Sequence, residues 1–433
     1  MPLDNAQEIM DPEQVDRVLD EANRLLEAGE PEESLRCLES LPDDLADPEH
    51  RVECATLRAY ALSELGRQEQ ALQELQPMLE EHPDSPRLLG VLGVVLSGMD
   101  DLEPARVALE TAVSLDGQDE TLVANLALVY EKLHDYRAAI RLYDRAIRLG
   151  ADLDWALQRK AAALAEAGDC DAAKITLKRY LSLVPDDADQ WVALGILHSD
   201  AEEYEQAYAC YRQAEQIDPS SGILRLNWGV TAVRGGDLEQ ARRQLAQLER
   251  LEPDSSRSFL LRAFVFEEEG DLRGTQRCYR AALARLDGAD RGQLSYTLEM
   301  AMDFYARRGM RRECERLLAR AYRADACTVE LCEPYRELTG RRLPQGYWFN
   351  VIVEADYPSP SADGDRPCAL RGQRSIQVIA RDRDEAARMV LEFARRMGET
   401  HLSIREFASE EPLEDVHLGI YEVQKRRPAV EWF

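Results

Sequence analysis

The sequence predicts an all-α helical-hairpin solenoid followed by a small α+β domain, and three observations lead there. A small residue returns every 34 positions, as Ala71, Ala105, Ala139, Ala173, Ala207 and Ala241. Four places after each stands a larger one, Leu75, Leu109, Tyr143, Leu177, Tyr211 and Leu245, and a stop follows at Pro83, Gly117, Ala151, Pro185, Pro219 and Pro253. Past Leu343–Pro344 the apolar period changes from helical to alternating. The small residue lets two helices approach, the larger one fills the space beside it, and Pro or Gly ends the second helix so that a new pair begins.

The elements follow in order. "LLEAGEPEESLRCLESL" (25–41) reads as a degenerate first unit, and the register is regular from about 52 to 287. "WVALGILHSDAEEYEQAYACYRQAEQIDPS" (191–220) shows one unit whole: two short amphipathic helices, a polar turn over Ser199–Glu203, and a stop at Pro219. Neither helix is long or apolar enough to stand alone in water, so each pair must pack on its neighbours. "FYARRGMRRECERLLARAYRADA" (304–326) is a last unit displaced by an insertion at 287–292, and "VELCEPYRELTG" (329–340) is a closing helix. That makes about nine units over 1–343, with terminal elements capping the open ends.

Residues 344–433 form the second domain, of order ββαββ. "YWFNVIVEAD" (347–356) places Phe349, Val351, Val353 and Ala355 on one face of a strand. A loop over 357–373 leads to a second strand, 374–380, and then to a helix, 382–398, with Asp382 or Asp384 as N-cap, Met389, Val390, Phe393 and Met397 on its apolar side, and Gly398 as stop. Two further strands are expected at 401–408 and 418–424. Tyr347, Trp348, Phe349, Trp432 and Phe433 make an aromatic set suited to a core or seam.

The unit at Trp191, Leu194–Gly195, Tyr204, Ala207, Tyr211, Ala214 and Pro219 resembles the tetratricopeptide repeat (TPR) family, whose 34-residue unit carries Trp, Leu-Gly, Tyr, Ala, aromatic and Pro at these places. The resemblance covers residues ~10–340. It implies a right-handed superhelix whose first helices line a concave groove that holds peptides or helices. Carried over, the groove positions are Val192 and Ile196, then Ile223, Leu226, Asn227, Val230 and Val233, then Leu260, Leu261 and Phe264. Nearly all are apolar, which points to an amphipathic helix or apolar peptide as ligand. The family's carboxylate-gripping set is not matched, because Asn125 and Asn227 lack most of the cationic partners a carboxylate requires.

Charge narrows the partners. The formal net charge is −29, which disfavours nucleic acid. Residues 1–82 hold 22 Asp and Glu against 6 Lys and Arg, more than half of that excess. Such a surface favours a basic partner. In contrast, 307–323 carries Arg307, Arg308, Arg311, Arg312, Arg316, Arg320 and Arg323, a basic docking patch that makes self-association through the acidic end conceivable. The nine cysteines are scattered without a CxxC pair and the six histidines are isolated, so neither disulfides nor a metal site is expected. With no apolar run near the ~18 residues of a membrane span and no signal-peptide pattern at the N-terminus, a cytoplasmic location is expected. No nucleophile–base motif or glycine-rich phosphate loop occurs. The sequence therefore reads as a non-enzymatic interaction scaffold without cofactors. The alternative is a catalytic or small-ligand module in 344–433, holding Cys368, His401 and His417, to which the repeats bring substrate.

Overall fold

The computed structural model describes residues 11–42, 45–286, 290–324, 326–340, 342–359, 368–397, 399–417, 419–423 and 427–428. The chain divides into two compact units, 1–219 and 220–433. Six helical hairpins build the first: Pro12–Glu27 with Pro31–Leu38, Pro48–Glu64 with Gln68–Glu81, Pro86–Gly98 with Leu102–Leu115, Glu120–Lys132 with Tyr136–Leu149, Leu153–Glu166 with Cys170–Leu183, and Ala188–Asp200 with Tyr204–Ile217. Three more open the second: Gly222–Arg234 with Leu238–Leu251, Ser256–Glu268 with Leu272–Ala284, and Arg291–Arg307 with Arg311–Arg323. They are called the first to ninth hairpins below. The closing helix is Val329–Thr339.

Three local devices repeat. The six alanines at the 34-residue interval are all fully buried, as Cβ-to-helix contact at a crossing requires. The turn inside each hairpin ends its first helix with a left-handed residue, and these recur at Gly66, Asp100, His134, Gly168, Glu202, Gly236 and Gly270. Asp100, His134 and Glu202 hold that conformation without glycine's freedom, at a cost of roughly 1 kcal/mol each. Finally, aspartates cap the helices: the side chains of Asp119, Asp135, Asp152, Asp169, Asp187, Asp237, Asp271 and Asp290 accept backbone N–H bonds at helix starts. Part of the chain's negative charge is thus architectural.

The second unit continues from helices into a sheet. Strands β1 (Arg342–Ser359), β2 (Cys368–Ala380), β3 (Thr400–His417) and β4 (Gly419–Val423) form an antiparallel sheet in the order β3-β1-β2-β4, and β5 (Arg427–Pro428) also pairs with β2. A helix, Arg383–Arg396, lies between β2 and β3 in sequence, and the Asp382 side chain caps it. The strands are longer than the alternation alone indicates: 357–359 and 368–373, expected as loop, belong to the β1–β2 hairpin. Backbone pairing extends a hairpin beyond the stretch that has a face to bury. Gly398, Trp432 and Phe433 lie outside the described residues, as do the side chains of Ala355, Cys368, His401 and His417.

One core runs through this unit. It joins Leu260, Leu261 and Tyr279 of the hairpins to Phe349, Val351 and Val353 of β1, Ile376 and Val378 of β2, and Val390 and Phe393 of the following helix. Tyr322 of the ninth hairpin meets Phe393 edge-on at 5.4 Å. The buried Arg374 guanidinium lies over the Tyr322 ring at 4.1 Å, and Arg374 in turn lies 3.8 Å from buried Glu399. The inner face of the sheet is therefore covered by the helix Arg383–Arg396 and, at Arg374, by Tyr322 of the ninth hairpin.

Candidate partner-binding site

The first helices of the seventh, eighth and ninth hairpins enclose a hollow of about 180 Å³. Its apolar walls are Val230, Val233, Phe264, Tyr296 and Met300, with Tyr279 beneath. The Phe264 ring stands edge-on to Tyr279 at 6.4 Å. Burial raises the Tyr279 hydroxyl pKa far above its usual range, with Glu267 adding to the effect, so it stays protonated. Arg234, Glu267, Glu268, Asp303 and Arg307 rim the opening. Arg307 bridges Asp303 at 2.6 Å and Glu267 at 3.2 Å. The rim is close to charge balance, so the hollow selects for apolar surface. Its volume suits one large aliphatic or aromatic side chain.

Of the groove residues read from the sequence, Val230, Val233 and Phe264 line this hollow. Ile223 is exposed and Ile196 half-buried. Val192 and Ile196 belong to the first compact unit, the rest to the second. Four assignments require correction: Val192, Leu226, Leu260 and Leu261 are buried among their neighbours and present no surface to a ligand. A repeat helix is packed on several sides at once, so an apolar position reports burial without saying which neighbour provides it. Gly229 shows this directly. A Cβ there would lie 2.5 Å from Leu261 Cδ2, so the missing side chain makes room for that leucine. Asn227 turns its amide back to the Ile223 carbonyl at 3.0 Å. Tyr296 and Met300 escaped the sequence reading because the insertion before the ninth hairpin breaks the 34-residue register.

The basic patch is largely engaged within the protein. Arg307 is bound as above, Arg308 reaches Glu267 at 3.3 Å, Arg311 meets Glu315 and Arg316 meets Glu313, each at 3.0 Å. Arg320 donates to the carbonyls of Leu283 and Leu286, closing the C-terminal end of the helix Leu272–Ala284. Burial lowers its pKa. Arg312 and Arg323 are exposed. The seven arginines therefore do not form one free cationic surface; charge in sequence does not reveal which ions already have partners.

Among the described residues there is no group of His, Cys, Asp and Glu able to hold a metal ion, and no helix is long and apolar enough to cross a membrane.

Comparison with known proteins places the repeats. Residues 151–293 match the cytochrome c-type biogenesis protein H TPR domain, and 121–151 match the tetratricopeptide repeat. The TPR repeat-containing protein YpiA of Bacillus subtilis is 24% identical over 317 residues, 72% of this chain and 72% of its own. The human protein O-mannosyl-transferase TMTC3 is 24% identical over 222 residues, 50% of this chain and 24% of that protein. Superkiller protein 3 of Saccharomyces cerevisiae is 27% identical over 109 residues, 25% of this chain. The chain thus spans 24% of TMTC3 and 8% of superkiller protein 3. A tetratricopeptide repeat protein of Parabacteroides merdae superposes with a TM-score of 0.46 at 15% identity, covering 55% of this chain and 95% of its own.

Proposed function

We propose that this chain, which belongs to the tetratricopeptide-repeat family through residues 121–293, is a non-enzymatic scaffold that holds an apolar or amphipathic segment of another protein. The observation that carries this reading is the hollow walled by Val230, Val233, Phe264, Tyr296 and Met300. Three successive hairpins contribute to it, so a ligand seated there contacts a surface whose shape the repeat packing holds rigid. Desolvation of one inserted side chain supplies about 2 kcal/mol, and contacts along the flanking helices supply the rest. The net charge of −29 acts at longer range, speeding the approach of basic partners. We place the work in the cytoplasm, where buried free thiols such as Cys210, Cys278 and Cys314 stay reduced.

Display selection of random 15-residue peptides on the full chain tests the reading, with Val233→Asp as the counter-target. Val233 is half-buried at the mouth, so the change alters the hollow without emptying the core. Peptides with an apolar anchor that bind the parent and lose about tenfold or more on Val233→Asp support the scaffold. If every selected peptide binds both proteins alike, the hollow is not the site.

A further inference from the structure

The third hairpin, in the first compact unit, carries an apolar trough of its own. Leu89, Leu92 and Leu96 stand one to two turns apart on the helix Pro86–Gly98, and each is half-buried. On one side Pro104, Val107 and Ala108 complete a hollow of about 530 Å³; on the other, Leu72 and Leu79 complete one of about 440 Å³, with Leu92 common to both. Val107 is 54% exposed.

The sixth hairpin shows how the same template is normally closed. Three repeats along, Leu89 becomes Trp191, Leu92 becomes Leu194, Leu96 becomes His198 and Leu72 becomes Lys174. There Lys174 Nζ donates to both Glu203 carboxylate oxygens at 3.3 and 3.2 Å, and the His198 ring bonds the same carboxylate. Under that cover Leu194 is 1% exposed. In place of the Trp and His the third hairpin has Leu89 and Leu96, in place of the Lys the second hairpin has Leu72, and Leu92 keeps partial exposure where Leu194 has none to speak of.

The setting of the trough indicates what covers it. From Glu64 to Thr111 the sequence holds ten Asp and Glu and three Arg. Ion pairs take up part of both sets, Arg87 with Glu53 at 2.9 Å and Arg106 with Glu103 and Glu110 at 2.8 Å each, and Arg67 bonds Gln70 at 2.7 Å, so acidic groups stay in excess, Glu80 among those lining the trough. A second copy would bring like charge to like charge. We infer that this trough docks a basic amphipathic helix of another protein, with apolar side chains at helical spacing on Leu89, Leu92 and Leu96 and Lys or Arg toward the surrounding carboxylates.

The probes are two 18-residue synthetic helices with one leucine face, their polar faces all Lys or all Glu, and a Lys helix with that face changed to Ser. Binding to the full chain is read by fluorescence anisotropy, and the contact by amide hydrogen exchange. The Lys–Leu helix is expected to bind about tenfold or more tighter than both others, to protect 86–111, and to weaken about tenfold on Leu92→Gln/Val107→Asn. Val107→Asn alone, at an exposed site, gives a smaller loss in the same direction and guards against misfolding of the pair. Val233→Asp leaves the protection at 86–111 unchanged, which separates this surface from the hollow of the seventh to ninth hairpins. Equal binding of the Lys and Glu helices, no protection at 72–79 or 86–111, no binding of any probe, or a dimer that Val107→Asn dissolves would each overturn the assignment.

Discussion

The third and sixth hairpins share a backbone plan and differ in how they finish it. In both, a glycine in the first helix faces a large residue of the second: Gly93 meets Leu109 and Gly195 meets Tyr211. In both, the buried alanines Ala105 and Ala207 set the crossing, and a non-glycine residue, Asp100 or Glu202, makes the left-handed turn. The outer side separates them. The sixth is sealed by Trp191, whose indole N–H donates to the Pro185 carbonyl at 2.9 Å, and by the Lys174–Glu203–His198 cluster. The third ends in leucines left half-buried, beside a Val107 that is 54% exposed. The alanine, glycine and turn positions define the repeat, and the positions left over decide whether a hairpin is finished or waiting for a partner.

The largest effect is expected at Gly195. A Cβ there would lie 2.4 Å from Tyr211 Cε1, and the ring is held between helices. Gly195→Ala should cost about 3 kcal/mol. Gly93→Ala meets Leu109 Cγ at 2.4 Å. A leucine can change rotamer, so this change should cost about half as much; urea unfolding of both variants checks the ranking. Equal losses would mean that the tyrosine is no stiffer a neighbour than the leucine.

Next comes chemical access. Cys210 in the sixth hairpin stands where the third has Ala108. Burial pushes the Cys210 thiol up to about 11, so it remains protonated until strongly alkaline pH. In an otherwise cysteine-free background, a thiol placed one residue earlier, Val107→Cys, at a trough position that is 54% exposed, should be alkylated by iodoacetamide at pH 8 about a hundredfold faster than Cys210. Comparable rates would show that the trough is closed in solution.

Exchanging the seals follows. Trp191→Leu should destabilise by about 2 kcal/mol, through lost apolar burial and the lost bond to Pro185. The reverse change, Leu89→Trp, should be neutral or slightly stabilising, because the ring has a hollow to enter, and should block the basic helix. A strongly destabilising Leu89→Trp would mean that the trough is smaller than its outline.

The smallest effect is common to both hairpins. Asp100→Gly and Glu202→Gly each relieve a left-handed residue, and each should stabilise by about 0.5 kcal/mol once the added freedom of the unfolded chain is deducted. Thermal unfolding should move by similar amounts for the two, confirming that the turn belongs to the shared plan.

Much of this plan was legible beforehand. Hairpin count, helix order, the closing helix and the succession from β1 to β4 follow from periodicity, because a small residue at a crossing and a break after it are local requirements; the two-residue β5 was not expected. The candidate site was legible in part. Val230, Val233 and Phe264 stand out as apolar at first-helix positions, yet the same criterion also selects Val192, Leu226, Leu260 and Leu261, which are core. Tyr296 and Met300 complete the hollow from beyond an insertion. The arginines of the ninth hairpin form a cluster in sequence while their partners lie up to 40 residues away, as with Arg307 and Glu267.

By itself, then, the sequence determined the repeat, its 34-residue step, the strong negative charge and the change to strands near residue 344. Each is a property of neighbours along the chain, set by side-chain size, backbone freedom and ionisation. Only the tertiary structure decided which apolar residues face one another and which face water, which arginines are already bound, and that the end of the repeats and the sheet close over one core. Those outcomes depend on what stands opposite a residue in space. A leucine beside a tryptophan and a leucine beside nothing are the same letter until the helices are packed.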